Sequence, residues 1–246
     1  MTLDREKFAN LCACEGARES DGDSIGVYKE KRLHRILKRL VCEREETYEV
    51  KVGSYIADVL DGERITEIQT GSFYPLREKL SYYLSETEYS VTLIHPVINE
   101  KRIIRIDRES GEVIRSRRSP KRVGIGEIMR EILYLGELAK CERLEIIILY
   151  ISADEYRYSE AVRYRRSGRY DAELLPREIC SQERFCGVES YKFLLEGTSE
   201  CFSAREYGEI SGMRGRPLYG TLNLLCALGL LRREKGEKGA YEYSRN

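Results

Sequence analysis

Histidine is scarce in this 246-residue chain, which has only His34 and His95. A histidine-based triad or a histidine-rich metal site is therefore not expected, although His95, at the end of a strand before Pro96, could sit near the chain's candidate carboxylates. An excess of one charge is also lacking: 42 Lys and Arg balance 42 Asp and Glu. Nothing attracts nucleic acid globally, so any such binding must come from local patches. No apolar run approaches the length of a membrane span and the N-terminus lacks a signal-peptide core, which predicts a cytoplasmic protein with no membrane partner. The eight cysteines lack the paired spacing of a zinc site or a disulfide framework, since Cys12 and Cys14 are too close and Cys180 and Cys186 have no second pair. Buried or incidental thiols fit them better.

What is present is a soluble globular composition, 41% hydrophobic and 34% charged, in a chain long enough for one or two domains. The stretch from Tyr48 to Pro75 reads as three short strands joined by tight turns at Gly53-Ser54 and Asp61-Gly62. A loop centred between Asp61 and Gly62 sets Asp58 opposite Ile65; one centred between Gly53 and Ser54 sets Asp58 opposite Glu49 and Ile56 opposite Lys51. Alternation then projects Glu49, Lys51, Asp58, Glu67 and Gln69 from one side of the sheet. Carboxylates this close resist ionising together. Either they line a solvated sheet edge where Lys51 pairs one acid, or they gather around a divalent cation.

Residues 1–24 show little periodicity and read as a loose lead-in. From Ile25 to about Cys42 the spacing predicts a helix whose buried face carries Leu33, Leu37, Leu40 and Val41, with Glu30 on that same face. A helix over Phe73 to Leu84 crosses to an apolar strand, Tyr89 to Val97, so that strand runs parallel to the third strand of the meander.

Asp58, Glu67-Ile68-Gln69 in an apolar strand, a following helix and a further apolar strand resemble the PD-(D/E)XK nuclease superfamily, over roughly Ile25 to Val97. The resemblance implies a restriction-endonuclease-like mixed sheet flanked by helices, Mg²⁺ or Mn²⁺ held by Glu30, Asp58 and Glu67, and phosphodiester hydrolysis. Two positions depart from the pattern. Ala57 precedes Asp58 where the superfamily name has proline, and Gln69 replaces the lysine of the triplet. Lys51, expected on the same face, is the candidate replacement, so the catalytic set reads Lys51, Asp58, Glu67 and Gln69.

Farther on, Arg102–Asp107 and Glu112–Arg115 form an expected hairpin leading into RSRRSPKR, where Arg117, Arg118 and Lys121 make either a phosphate-binding arm or a solvated connector. A long helix over Ile125 to Glu142 and a buried strand over Leu144 to Ile151 extend the sheet. Tyr156 to Tyr170 interleaves arginines, Arg165 and Arg166 among them, with tyrosines, as a base-stacking surface or an ordinary loop would. Residues 25–175 thus form one domain and 176–199 a bridge. In residues 200–246, Ser203 with Glu206 reads as a capping box, Pro217 opens a second helix that stops at Gly229, and a hairpin follows. This order resembles a winged helix-turn-helix. It implies DNA contacts from Arg214, Arg216, Tyr219, Thr221 and Asn223, and from Lys235 and Lys238 on the wing; docking to protein is the other use of such a module. The whole order is similar to an uncharacterised bacterial family that joins a nuclease-like domain to a winged helix. The expected class is α/β (α+β), and the expected function is metal-dependent DNA processing. The alternative is a non-catalytic DNA-binding regulator, for which a homodimer is open.

Overall fold

The two most apolar stretches of the chain become the middle of one sheet. They lie in β4 (Ser90–Ile106) and β6 (Leu144–Tyr158), which run parallel from Val91↔Leu144 onward and are buried on both faces over their first eight residues or so. The computed structural model describes residues 2–17, 28–107, 110–158, 172–236 and 239–246. On one side of β4 the meander β1 (Tyr48–Val52), β2 (Tyr55–Asp61) and β3 (Arg64–Ile68) is antiparallel, and β3 pairs parallel with β4 after the crossover helix α3 (Arg77–Glu86). On the other side β7 (Ala172–Cys186) runs antiparallel to β6, giving the order β1-β2-β3-β4-β6-β7. Of the residues expected to bridge two domains, 176–186 belong to this last strand and Val188–Leu195 form a 3-10 helix after it. The sheet unit therefore reaches Cys186 rather than residue 175.

Helices cover both faces. Phe8 of α1 (Arg5–Ala17) and Ile36 and Leu37 of α2 (Tyr28–Val41) pack with Ile68, Ile94 and Ile147. The N-terminal segment expected to be loose thus contains a packed helix, which its irregular hydrophobic spacing concealed. On the opposite face, Leu80 and Tyr83 of α3 and Ile128 and Ile132 of α4 (Ile125–Leu133) meet Ile65, Leu93 and Ile146. The architecture is mixed α and β, a large sheet flanked by helices, as the strand and helix pattern predicts. The helix expected to reach Glu142 stops at Leu133, and a 3-10 helix, Gly136–Lys140, begins at Gly136, which takes a φ of 58°.

The meander also departs from expectation in register. Asp61 pairs with Arg64, so the turn residues are Gly62 and Glu63, and the ladder runs Asp61↔Arg64, Leu60↔Ile65, Val59↔Thr66. Glycine leads this turn because its φ is 60°. The shift takes Ile65 away from Asp58 and leaves Asp58 and Glu67 just beyond the last ladder pair, Val59↔Thr66.

β5 (Val113–Arg118) pairs with β4 only from Arg102 onward, on the edge that β3 occupies up to Ile94. Among the described residues, 95–101 of β4 have no strand on that edge. Pro96 stands inside this gap. Ile94 accepts from the Gln69 N–H at 2.9 Å on the β3 side, and two residues later the N–H that proline lacks would face the opening, which is where a strand tolerates proline.

The C-terminal unit comprises β8 (Cys201–Ser203), α5 (Ala204–Ser211), α6 (Gly215–Ala227), β9 (Leu231–Lys235) and β10 (Tyr241–Arg245), with strand order β8-β10-β9. The expected capping box is present: Glu206 N–H donates to Ser203 Oγ at 3.2 Å and Ser203 N–H to Glu206 Oε2 at 2.6 Å. Leu218, Leu222, Leu225 and Tyr243 belong to the same buried cluster as Ile128 and Ile132. The seam between α4 and α6 is close. A Cβ added at Gly126 would lie 2.8 Å from the Pro217 side chain, and one at Gly220 would lie 2.6 Å from that of Arg130.

Candidate functional site

Beyond Val59↔Thr66 the ladder between β2 and β3 ends, and side chains take over where main-chain bonds stop. Asp58 Oδ2 accepts the Ile68 N–H at 2.8 Å, so its carboxylate sits between the parting strands. Its other oxygen lies 3.0 Å from His34 Nε2 and 3.8 Å from Lys38 Nζ, both on α2. Lys38 also pairs with Glu49. Glu67, 2% exposed, faces the other helical layer, where Lys79 Nζ of α3 lies 2.6 Å from its Oε2. Glu67 Oε1 and the Tyr83 hydroxyl are both buried without a hydrogen bond of normal geometry.

The electrostatics follow from this crowding. Burial and the neighbouring Asp58 charge push Glu67 up to about 7, against the pull of Lys79 and of the Asp58 N–H. Burial would raise Asp58 as well, but the His34 contact, the Ile68 N–H and Lys38 together hold it below its ordinary value. Burial and the Glu67 charge raise Tyr83. The arrangement is one carboxylate kept ionised by His34, the Ile68 N–H and Lys38 beside a second that is reluctant to ionise.

Of the residues expected here, Asp58 and Glu67 come together. Glu30 lies in the first turn of α2, with its side chain outside the described residues. Lys51 does not join them: it is exposed opposite Ile56 on the outer hairpin and pairs with no carboxylate among the described residues. Gln69 turns away too, its Nε2 donating to Ser72 O at 2.6 Å while its own carbonyl accepts from His95 Nδ1–H at 2.6 Å. The expectation of five groups on one face fails because Glu49 and Asp58 meet Lys38 of α2, whereas Glu67 meets Lys79 of α3 in the opposite layer. His34, Lys38 and Lys79 were missed by the sequence reading. The first two follow Glu30 at successive intervals of four on α2, a signal that was available; Lys79 carries none, because α3 reaches Glu67 only through the fold.

On the C-terminal unit, Arg214 and Arg216 are exposed at the start of α6, with Tyr219 and Asn223 on the same exposed stripe. Asn223 Oδ1 accepts from Arg233 at 3.3 Å, and that guanidinium lies 4.6 Å from the Tyr241 ring centroid. Thr221 is a correction. It is fully buried, its hydroxyl donating to Pro217 O at 2.9 Å, so it holds the helix instead of facing a ligand. Lys235 is exposed on β9, and Lys238 lies outside the described residues. Arg117 and Arg118 stand on β5, an exposed strand where a loop was expected, with Lys121 in the connection that follows; none has a carboxylate partner among the described residues. Arg165 and Arg166 lie outside the described residues.

A family model described as "Domain of unknown function (DUF8091)" matches residues 31–186, from α2 to the last residue of β7. The chain belongs to the DUF8091 family. The DUF8091 region therefore contains Asp58, Glu67, His34, Lys38 and Lys79, and excludes the C-terminal unit. An "Uncharacterized protein" of Treponema pallidum (strain Nichols) is 32% identical over 167 residues, 66% of this chain. The match spans 64% of that relative's length. No solved structure matches the chain. The bacterial relative and the DUF8091 match agree with the expectation of an uncharacterised bacterial family.

Proposed function

We propose that the chain is a DNA-processing protein that cleaves phosphodiester bonds with a divalent metal ion, and that its C-terminal unit engages the DNA. The observation that carries this reading is the ion pair of Lys79 with Glu67 beside Asp58. It supplies from α3 the lysine that the PD-(D/E)XK triplet lacks at Gln69. Helix, three-strand meander, crossover helix and parallel strand, in that order, also suit the superfamily. Three strands packed with α5 and α6, arginines leading α6, suit a winged helix.

The donor set fits a hard cation. The Asp58 charge disfavours that of Glu67, and Glu67 keeps a buried oxygen without a hydrogen bond of normal geometry. These two carboxylates would hold Mg²⁺ or Mn²⁺, which when bound supplies Lewis-acid stabilisation of phosphoryl charge. The chain's own groups do the rest. Lys79 carries positive charge to the scissile phosphate, His34 and Lys38 keep Asp58 ionised and oriented, and the buried wall of Tyr83 and Ile65 excludes water.

One observation favours the second reading, a non-catalytic DNA-binding regulator. Among the described residues no group of three His, Cys, Asp or Glu side chains gathers closely enough to hold a metal. The deciding experiment incubates labelled single-stranded, duplex and branched DNA with Mg²⁺ or Mn²⁺ and compares the natural chain with Asp58→Ala and Lys79→Met. Metal-dependent cutting lost in both variants supports hydrolysis. Duplex retained but never cut, in either metal, leaves the regulator.

A further inference from the structure

The far end of the sheet sets three arginines directly opposite one another. Arg115 of β5 faces Arg105 of β4 in the antiparallel ladder, and Arg105 faces Arg157 of β6 in the parallel one. Opposed residues share a face and neighbouring strands are roughly 4.8 Å apart, so the three side chains form a row about 10 Å long. Like charges placed opposite each other destabilise a sheet.

The same ribbon relieves a similar pair elsewhere. Arg118 faces Arg102, and Arg102 in turn faces Asp154, whose two oxygens accept from its guanidinium at 2.9 and 2.7 Å. The row of Arg115, Arg105 and Arg157 has no acid in that place, because β7 brings Ala172 there. Glu155, two residues before Arg157 on the same face, is shared between Arg157 and Lys101. Arg105 and Arg115 are exposed and meet no carboxylate among the described residues. Asp107, beyond the row, accepts the Ser110 N–H at 3.0 Å, and Glu112 is exposed in the connection before β5. Arg117, opposite Ile103, adds an exposed cation on the face of Arg115. Within the strands this face therefore sets Arg115, Arg117, Arg105, Arg157 and Lys101 against Glu155 alone.

Charge on β5 could serve only to keep an edge strand from pairing with another chain. That reason does not extend to Arg105 and Arg157, which stand on strands paired on both sides. An anion laid across the row would relieve its self-repulsion. The row is one side chain wide and made of guanidinium forks, which grip phosphate oxygens in pairs, whereas an anionic bilayer is met by a broad basic cluster. A linear phosphodiester chain fits that shape and charge. Arg105 lies roughly 40 Å along β4 from Leu93, the partner of Glu67, so the row is apart from the candidate metal site.

We propose that this arginine row carries the phosphate backbone of a nucleic acid, as a contact additional to that of the C-terminal unit. The proposal rests on nucleic acid being the partner.

The test follows binding of a fluorescently labelled duplex by anisotropy across a range of salt concentrations. It compares the full natural chain with Arg105→Gln/Arg115→Gln and with a charge-matched control, Lys140→Gln/Lys192→Gln, whose lysines pair locally with Glu137 and Glu189. The row variant is expected to lose about two from the slope of log affinity against log salt, at about 0.9 for each phosphate contact, and the control to keep the natural slope. Because the row repels itself, the row variant is also expected to melt no lower than the natural chain in low salt, which separates lost binding from a lost fold. An unchanged slope overturns the proposal, and an equal loss in the control does the same by making net charge the cause. A row variant that melts lower refutes the repulsion from which the row was read. Polyglutamate, or vesicles of anionic lipid, bound as tightly as the duplex would transfer the row to another partner and end the proposal. Metal-dependent cutting with an unchanged slope removes the row and leaves the nuclease reading; the expected loss of slope without cutting keeps the row and removes hydrolysis.

Discussion

Replacing Glu67 by Gln tests the electrostatics of the seam between β2 and β3 directly. Glu67 has an ordinary carboxyl value of 4.5 and a folded value raised to about 7. A raised acid binds its proton more tightly in the folded state, so its contribution is intact below about pH 4.5 and is lost as the pH climbs to about 7. At 1.36 kcal/mol for each pH unit between the two values, the loss comes to about 3 kcal/mol. The glutamine cannot ionise, and Lys79, whose side chain is 18% exposed, can turn to solvent without its partner. Urea unfolding of both proteins at pH 4.5 and pH 8 should therefore show the stability difference moving by about 3 kcal/mol in favour of the variant as pH rises. In a thermal melt the equivalent change is roughly 6–12 °C. Parallel pH profiles for the two proteins would refute the reasoning, since they would mean that Glu67 ionises as freely in the folded chain as in the unfolded one.

Other outcomes follow from the same geometry. Mg²⁺ or Mn²⁺ should raise the melting temperature of the natural chain at pH 8 and leave Asp58→Ala unchanged, because only the former keeps both carboxylates. Gly126→Ala should lower stability by about 1–3 kcal/mol in urea unfolding, since its methyl group meets Pro217 across the α4–α6 seam at 2.8 Å. Ser203→Ala removes the capping box of α5 and should cost about 1 kcal/mol by the same assay. Arg216→Ala should weaken duplex binding and reduce the slope of log affinity against log salt by about one, whereas Thr221→Val, at a buried position, should leave that slope alone.

The sequence carried the elements well where periodicity was strong. The meander, the crossover helix, the two central strands and the C-terminal helix-helix-hairpin were all legible from apolar spacing and turn residues. Asp58 and Glu67 were legible for the same reason, although Gly62-Glu63 took the turn that Asp61-Gly62 was expected to make. What was not legible depended on contacts distant in sequence. Lys79 reaches Glu67 through the packing of α3 on the sheet, and α1 is held by Phe8 beneath β7 and α2 rather than by an amphipathic pattern of its own. Thr221 looked exposed because α6, read alone, has no α4 against it.

That last contact governs how the two units work together. Gly126 and Gly220 let the side chains of Pro217 and Arg130 pack directly on the facing helix, and the buried cluster runs unbroken from one unit into the other. The C-terminal unit is thus clamped to the sheet, not tethered by a linker. On the proposed reading, a duplex held by α6 would meet Asp58 and Glu67 at one set offset, with cleavage at a constant number of nucleotides from the contacted stretch.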